Sequence, residues 1–132
     1  MPKKAFLCVD DEKTVLNSLK AQLKKRFGSK YLYEIAESAD EAWEVIEELY
    51  DEGTEILIII TDWLMPGVKG DEFLVQVHKR FPTIVAIMIT GQADKEAIIH
   101  AQQNANLYQC LRKPWDEEEL IETIISAWGT YE

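Results

Sequence analysis

The side chains able to do chemistry in this chain fall at four separate places. Asp10, Asp11 and Glu12 follow an apolar run at 5–9. Thr61 and Asp62 follow a second run at 56–60. Thr90 and Gly91 follow a third at 84–89, and Arg112, Lys113 and Pro114 follow a fourth at 107–111. If one crevice gathered them, three carboxylates (Asp10, Asp11 and Asp62) would face a hydroxyl and an ammonium. Carboxylates so close repel and raise one another's pKa unless a cation neutralises them. The donors are all oxygens, with no His or Cys beside them, so the cation expected is hard: Mg²⁺. Mg²⁺ held by one or two carboxylates commonly also binds phosphoryl oxygens. Lys113 and Thr90 suit the remaining oxygens of such a group, and a carboxylate can itself be the nucleophile that forms an aspartyl phosphate.

Each feature alone has a plainer explanation. Acids after a strand cap the next helix. Asp62 ahead of Met65-Pro66-Gly67 fits a simple turn, and Lys113-Pro114 simply precedes a helix. The argument therefore rests on the elements that would bring the four together.

Five short apolar runs, at 5–9, 31–35, 56–60, 84–89 and 107–111, alternate with segments of helical period. The third and fourth runs are apolar without alternation, as strands covered on both faces are. The second and fifth are more mixed, as edge strands are. Leu16, Leu19, Leu23 and Phe27 form the first helical stripe, ended by Gly28. Ala42, Val45, Ile46 and Leu49 form the second, opened by a Ser38/Glu41 capping box and stopped by Gly53. Phe73, Leu74, Val77 and Phe81 form the third. Ala97, Ile98, Ala101 and Ala105 give the fourth a thin apolar face. Leu120, Ile121, Ile124, Ile125 and Trp128 form the fifth, with Asp116 and Glu119 as an acidic capping box. Strand then helix, five times over, predicts a doubly wound parallel α/β sheet. In such a sheet ligands bind beyond the carboxyl ends of the strands, which is where the four features fall.

Composition narrows the function. The chain has 132 residues, suited to one domain, with 47% hydrophobic residues and a formal net charge of −10. That charge argues against nucleic acid and against an anionic membrane surface as partners. No apolar stretch approaches the ~20 residues that span a bilayer. Cys8 and Cys110 sit inside apolar runs without Cys-x-x-Cys spacing and are expected as reduced core residues, which favours the cytoplasm.

Val9-Asp10-Asp11-Glu12, the segment from Thr61 to Gly67, Thr90-Gly91 and Lys113-Pro114-Trp115 closely resemble the receiver domain of two-component response regulators. The resemblance covers essentially the whole chain and implies one receiver domain over 1–132, with no output domain in this chain. It implies a flavodoxin-like (βα)₅ fold with sheet order 2-1-3-4-5. It further implies that Asp62 accepts a phosphoryl group from a histidine kinase or histidine phosphotransfer protein. By the same resemblance, Asp11 and Asp62 ligate Mg²⁺ with the backbone carbonyl of Leu64, and Asp10 acts mainly through a metal-bound water. Lys113 pairs with a phosphoryl oxygen, and Thr90 is the hydroxyl that turns toward the phosphoaspartate. The fourth helix would relay the change, and a homodimer through the fourth helix, fifth strand and fifth helix is compatible with it. Such a domain is a switch that catalyses only its own phosphorylation and dephosphorylation.

Three other functions compete. A phosphatase resembling haloacid dehalogenases would carry a second Asp where Leu64 stands. An FMN carrier would need a Ser/Thr/Gly-rich loop where Asp10-Asp11-Glu12 stands. A degenerate receiver acting only as an interaction module would lack some of Asp11, Asp62, Thr90 and Lys113.

The chain also departs from the family pattern. Cys110 stands where receivers commonly carry a switching Tyr or Phe, and strand alternation puts Tyr108 on the same side. Leu64 cannot orient an attacking water, whereas Gln92 is a candidate to do so, and slow loss of the phosphoryl group, limited by Leu64, is expected. Trp63 is expected at the mouth of the site, while His78 and His100 look too distant from the strand ends to act there.

Overall fold

A computed structural model of the chain describes residues 3–91 and 95–131. The elements run β1 (Lys4–Val9), α1 (Lys13–Phe27), a short 3₁₀ turn (Gly28–Lys30), β2 (Leu32–Ala36), α2 (Ala39–Asp51) and β3 (Glu55–Thr61). They continue with α3 (Gly70–Arg80), β4 (Val85–Thr90), α4 (Lys95–Asn104), β5 (Leu107–Arg112) and α5 (Glu117–Tyr131). The five strands form one parallel sheet in the order β2-β1-β3-β4-β5. This is the expected flavodoxin-like order, with the two mixed strands at the edges.

The two faces are covered as right-handed crossovers require. Leu16, Leu19 and Leu23 of α1 and Leu120, Ile124 and Ala127 of α5 pack on one face. Ala42, Ile46 and Leu49 of α2, Phe73, Leu74 and Val77 of α3, and Ala101 of α4 pack on the other. Every residue of β4 is buried, as a strand covered on both sides must be. The expected Ser38 cap is present: its Oγ accepts the Glu41 N–H at 3.1 Å. For α5 the cap differs from the expected box. Asp116 Oδ1 accepts the N–H of Glu118, not Glu119, at 3.0 Å.

Two irregularities interrupt the strands. Ala5 pairs with Ile56 but Phe6 with Ile58, so Leu57 is an extra residue in β3. Ala86 pairs with Leu107 but Ile87 with Gln109, so Tyr108 is an extra residue in β5. Such bulges break the two-residue alternation. Tyr108 therefore does not follow the side expected from Cys110. Its hydroxyl meets Ser126 Oγ on α5, whereas Cys110 packs against the core beneath α4. Among the described residues, no helix is long and apolar enough to cross a membrane.

Candidate functional site

Parallel strands end on one side of the sheet, and β1, β3, β4 and β5 each deliver a polar group there. Asp11, Glu12, Asp62, Leu64, Met65, Pro66, Thr90, Gly91 and Lys113 line one cavity of about 610 Å³. Asp10 lies behind it, only 2% exposed. One carboxylate oxygen each from Asp10, Asp11 and Asp62 lies within 4.8 Å of the others. Three hard oxygen donors at that spacing can share one divalent cation, and the cluster contains no nitrogen or sulfur donor. The donor set therefore fits Mg²⁺.

Lys113 crosses the site from the end of β5. Its Nζ donates to Asp10 Oδ2 at 2.7 Å and to Asp62 Oδ2 at 3.1 Å, and stands 3.6 Å from Glu12 Oε1. Asp10 Oδ1 accepts the Glu12 N–H at 2.9 Å. Asp10 thus spends both oxygens inside the protein, one of them on orienting Lys113. Burial pushes the Asp10 carboxyl up from its ordinary 3.8, against the lowering effect of Lys113. Burial would lower the ammonium of Lys113, but its bonds to Asp10 and Asp62 outweigh this, and its pKa rises. The two shifts are compatible. One cation is shared among several carboxylates, so it gains from all of them, and the most buried acid remains undercompensated.

Asp62 closes β3 and is 6% exposed. Its N–H donates to Val9 O at 3.0 Å, which fixes it beside the end of β1. Its Oδ1 accepts the Trp63 N–H at 2.7 Å. The following loop turns at Gly67, whose φ of +80° suits glycine. Gly70, the first residue of α3, is required for a different reason. A Cβ there would lie 2.1 Å from the Asp62 carbonyl oxygen. Its N–H donates to Trp63 O at 2.8 Å, so α3 starts docked on the Asp62–Trp63 backbone. Thr90 ends β4, 5% exposed, and its carbonyl accepts the Lys113 N–H at 3.2 Å. The thiol of Cys110 is pushed up by burial and by the charge of Asp62, and that of Cys8, fully buried, up to about 12. Both are free cysteines.

Asp10, Asp11, Asp62, Leu64, Thr90 and Lys113 meet at this end of the sheet. Leu64 is 43% exposed at the cavity wall. Gln92 lies outside the described residues. Trp63 differs from expectation: it is partly buried and turned from the mouth, with its Nε1–H donating to Asp71 Oδ1 at 2.9 Å. Sequence reasoning missed Asp71 and dismissed His100, whose Nδ1 lies 3.0 Å from Asp71 Oδ2. An acid in the first turn of a helix resembles ordinary dipole complementation, so nothing local distinguishes Asp71. Glu12, the third carboxylate near Lys113, was visible in the sequence as part of the acidic run but had no assigned role.

Comparison with known proteins identifies the family. The sequence profile of the response regulator receiver domain matches residues 6–125. The chain is 36% identical over 121 residues to the hydrogenase transcriptional regulatory protein HoxA of Cupriavidus necator, covering 92% of this chain and 23% of that protein. The chain thus spans about a quarter of that regulator's length. It is 33% identical over 127 residues to the chemotaxis protein CheY1 of Helicobacter pylori, covering 95% of this chain and 97% of that one. A CheY-like receiver domain from Methanospirillum hungatei superimposes with a TM-score of 0.85 at 28% identity, over 98% of this chain and 96% of that one. The beryllofluoride-activated NtrC4 receiver domain dimer gives 0.83 at 30% identity, over 97% and 98%. On the profile match and these relatives, the chain belongs to the response regulator receiver domains, the signalling switches of two-component systems.

Proposed function

We propose that this chain is a phosphorylatable switch in which Asp62 accepts a phosphoryl group from a histidine kinase or a histidine phosphotransfer protein. The observation that carries this is Lys113 Nζ donating to both Asp62 and Asp10, beside a third carboxylate within metal-sharing distance. In the transfer, an Asp62 oxygen forms the new O–P bond while the N–P bond to the donor imidazole breaks. The electron pair of that bond leaves with the nitrogen. Such a transfer depends on positioning and charge neutralisation more than on acid–base chemistry. The partly buried ammonium of Lys113 is already beside the acceptor, and its hydrogen bonds to Asp10 and Asp62 hold it there before the phosphoryl group arrives. Mg²⁺, held by Asp11 and Asp62 with the Leu64 carbonyl, and by Asp10 through water, would supply further neutralising charge for the phosphoryl oxygens.

The phosphoryl group adds roughly −1.5 to −2 charges and three acceptor oxygens. Thr90, at the end of β4 and on the same cavity wall, is the hydroxyl placed to answer it. The shift then passes to α4, which buries only Ala97 and Ala101 along its length and is the helix held least firmly by apolar packing. Cys110 in the usual aromatic position makes a ring flip unavailable there. One structural neighbour is a beryllofluoride-activated receiver dimer, and the α4–β5–α5 face expected from the family resemblance is the homodimer surface proposed here. It exposes Ile99 and Tyr108.

The test is incubation with acetyl phosphate and Mg²⁺, followed by intact-mass measurement. The wild type should gain one phosphoryl group, and Asp62→Ala should gain none. No gain in the wild type, or an equal gain in the variant, overturns the assignment.

A further inference from the structure

Beside the cavity, a second polar cluster joins three elements around one buried acid, with His100 half-exposed at its outer end. Asp71, in the first turn of α3, is only 8% exposed. Its Oδ1 accepts the Trp63 Nε1–H at 2.9 Å, and its Oδ2 lies 3.0 Å from His100 Nδ1 on α4. An ionised carboxylate only accepts, so this contact is a hydrogen bond when His100 Nδ1 bears the proton, and both rings then donate to one acid. Lys69 Nζ stands 5.5 Å from the Trp63 ring centre on the outer side.

The position of Trp63 gives this cluster its meaning. Its main-chain N–H bonds Asp62 Oδ1, and its carbonyl accepts from Gly70 at the start of α3. The chain of contacts therefore runs from the Asp62 carboxylate, through one peptide group, to the indole, to Asp71, to His100. It ends on α4, whose buried residues are the two alanines Ala97 and Ala101, with Ile98 partly buried beside them. Two alanine methyls bury little apolar surface, so a charge-assisted hydrogen bond is a large share of what holds this helix to α3.

We propose that Asp71 is a positioning residue that latches α4 to the phosphorylation loop. It sets the resting place of α4 and couples movement of Trp63 to that helix, by a route separate from Thr90. The coupling half of this rests on the phosphorylation of Asp62 proposed above; the latch half does not.

The test uses the full chain, ¹⁵N-labelled, as wild type, Trp63→Phe, His100→Phe, the double variant and Asp71→Ala. The phenylalanine variants keep an aromatic ring and remove the donor. In the resting protein, each single variant should speed amide exchange over residues 95–104 by about tenfold, the size of one hydrogen bond to a charged group. The double variant should exchange no faster than about twice the faster single, because both rings act through one acid. Unchanged exchange, or fully multiplicative effects, overturns the latch. Unchanged protection of the β3 amides shows that the fold is intact in the variants used. Mg²⁺ and beryllofluoride are then added, with uptake followed by ¹⁹F NMR. His100→Phe should take up beryllofluoride as the wild type does, while its chemical-shift changes over 95–104 fall about twofold. Wild-type-sized changes there, and in Asp71→Ala, overturn the coupling. If the wild type itself takes up no beryllofluoride, the phosphorylation of Asp62 is what fails, and the resting exchange rates still decide the latch.

Discussion

At Leu64 a single side chain is expected to set how long the proposed switch stays on. It is 43% exposed on the cavity wall, two residues after Asp62. Hydrolysis of an aspartyl phosphate needs a water held in line with the leaving carboxylate oxygen. A leucine offers that water neither donor nor acceptor. Leu64→Asn supplies both hydrogen-bonding functions at similar size. The expected outcome is a phosphoryl lifetime several times shorter, with the initial rate of phosphorylation little changed. Loss of the phosphoryl group from ³²P-labelled protein measures it, and an unchanged lifetime would sink the idea. Leu64 as a candidate was legible in the sequence because its place is fixed by counting from Asp62. The role of Asp10 in holding Lys113 was not. It depends on a contact between residues 103 positions apart, which no local pattern encodes.

Between elements, the docking of α3 on the end of β3 keeps Asp62 in place. The start of α3 lies so close to the Asp62–Trp63 peptide that only a hydrogen fits on the Cα of Gly70. A methyl group there meets backbone, which cannot rotate away. Overpacking of this kind costs roughly 1–3 kcal/mol, and the better helix propensity of Ala returns at most about 1 kcal/mol. Gly70→Ala should therefore lower stability by about 2 kcal/mol in urea unfolding and slow phosphorylation by acetyl phosphate, because the acceptor's own carbonyl must move. Gly67→Ala is the control. Its Cβ meets nothing, so only the positive φ opposes it, at about 1 kcal/mol. It should lose stability with less effect on the rate. If both variants lose rate equally, close approach at Gly70 is not what holds Asp62. The helices and strands themselves were legible from hydrophobic period and caps, since those are local. The bulges at Leu57 and Tyr108 were not, because an extra residue in an apolar run leaves the composition unchanged. Tyr108 shows the consequence: alternation alone put it beside Cys110, and the bulge sends its hydroxyl to α5. The Trp63–Asp71–His100 cluster escaped for a similar reason, since α3 and α4 meet only in the folded sheet.

For the molecule as a whole, the net charge of −10 opposes any association of two copies. Much of the excess is surface: Glu41, Glu44, Glu47, Glu48, Asp51 and Glu52 are all exposed on α2 and its end. They lie on a different part of the sheet from α4 and β5, because β2 and β5 are opposite edges. The proposed dimer face thus avoids the acid of α2, carries most of its own acids at the start of α5 (Asp116, Glu117, Glu118 and Glu119), and presents Ile99 and Tyr108. The repulsion between distant charges is screened within about 8 Å at physiological salt, whereas an apolar contact is little affected. Association of the activated chain should therefore strengthen modestly from low to physiological salt. In sedimentation velocity, the chain with Mg²⁺ alone should be monomeric, and the chain with Mg²⁺ and beryllofluoride should shift toward dimer. Ile99→Lys, an exposed change that leaves the core untouched, should keep beryllofluoride uptake and weaken dimerisation by about tenfold or more, through a lost apolar contact and an added buried charge. An activated chain that stays monomeric at both salt concentrations, or a lysine variant that dimerises like the wild type, would remove this face as the homodimer surface while leaving the chemistry at Asp62 intact.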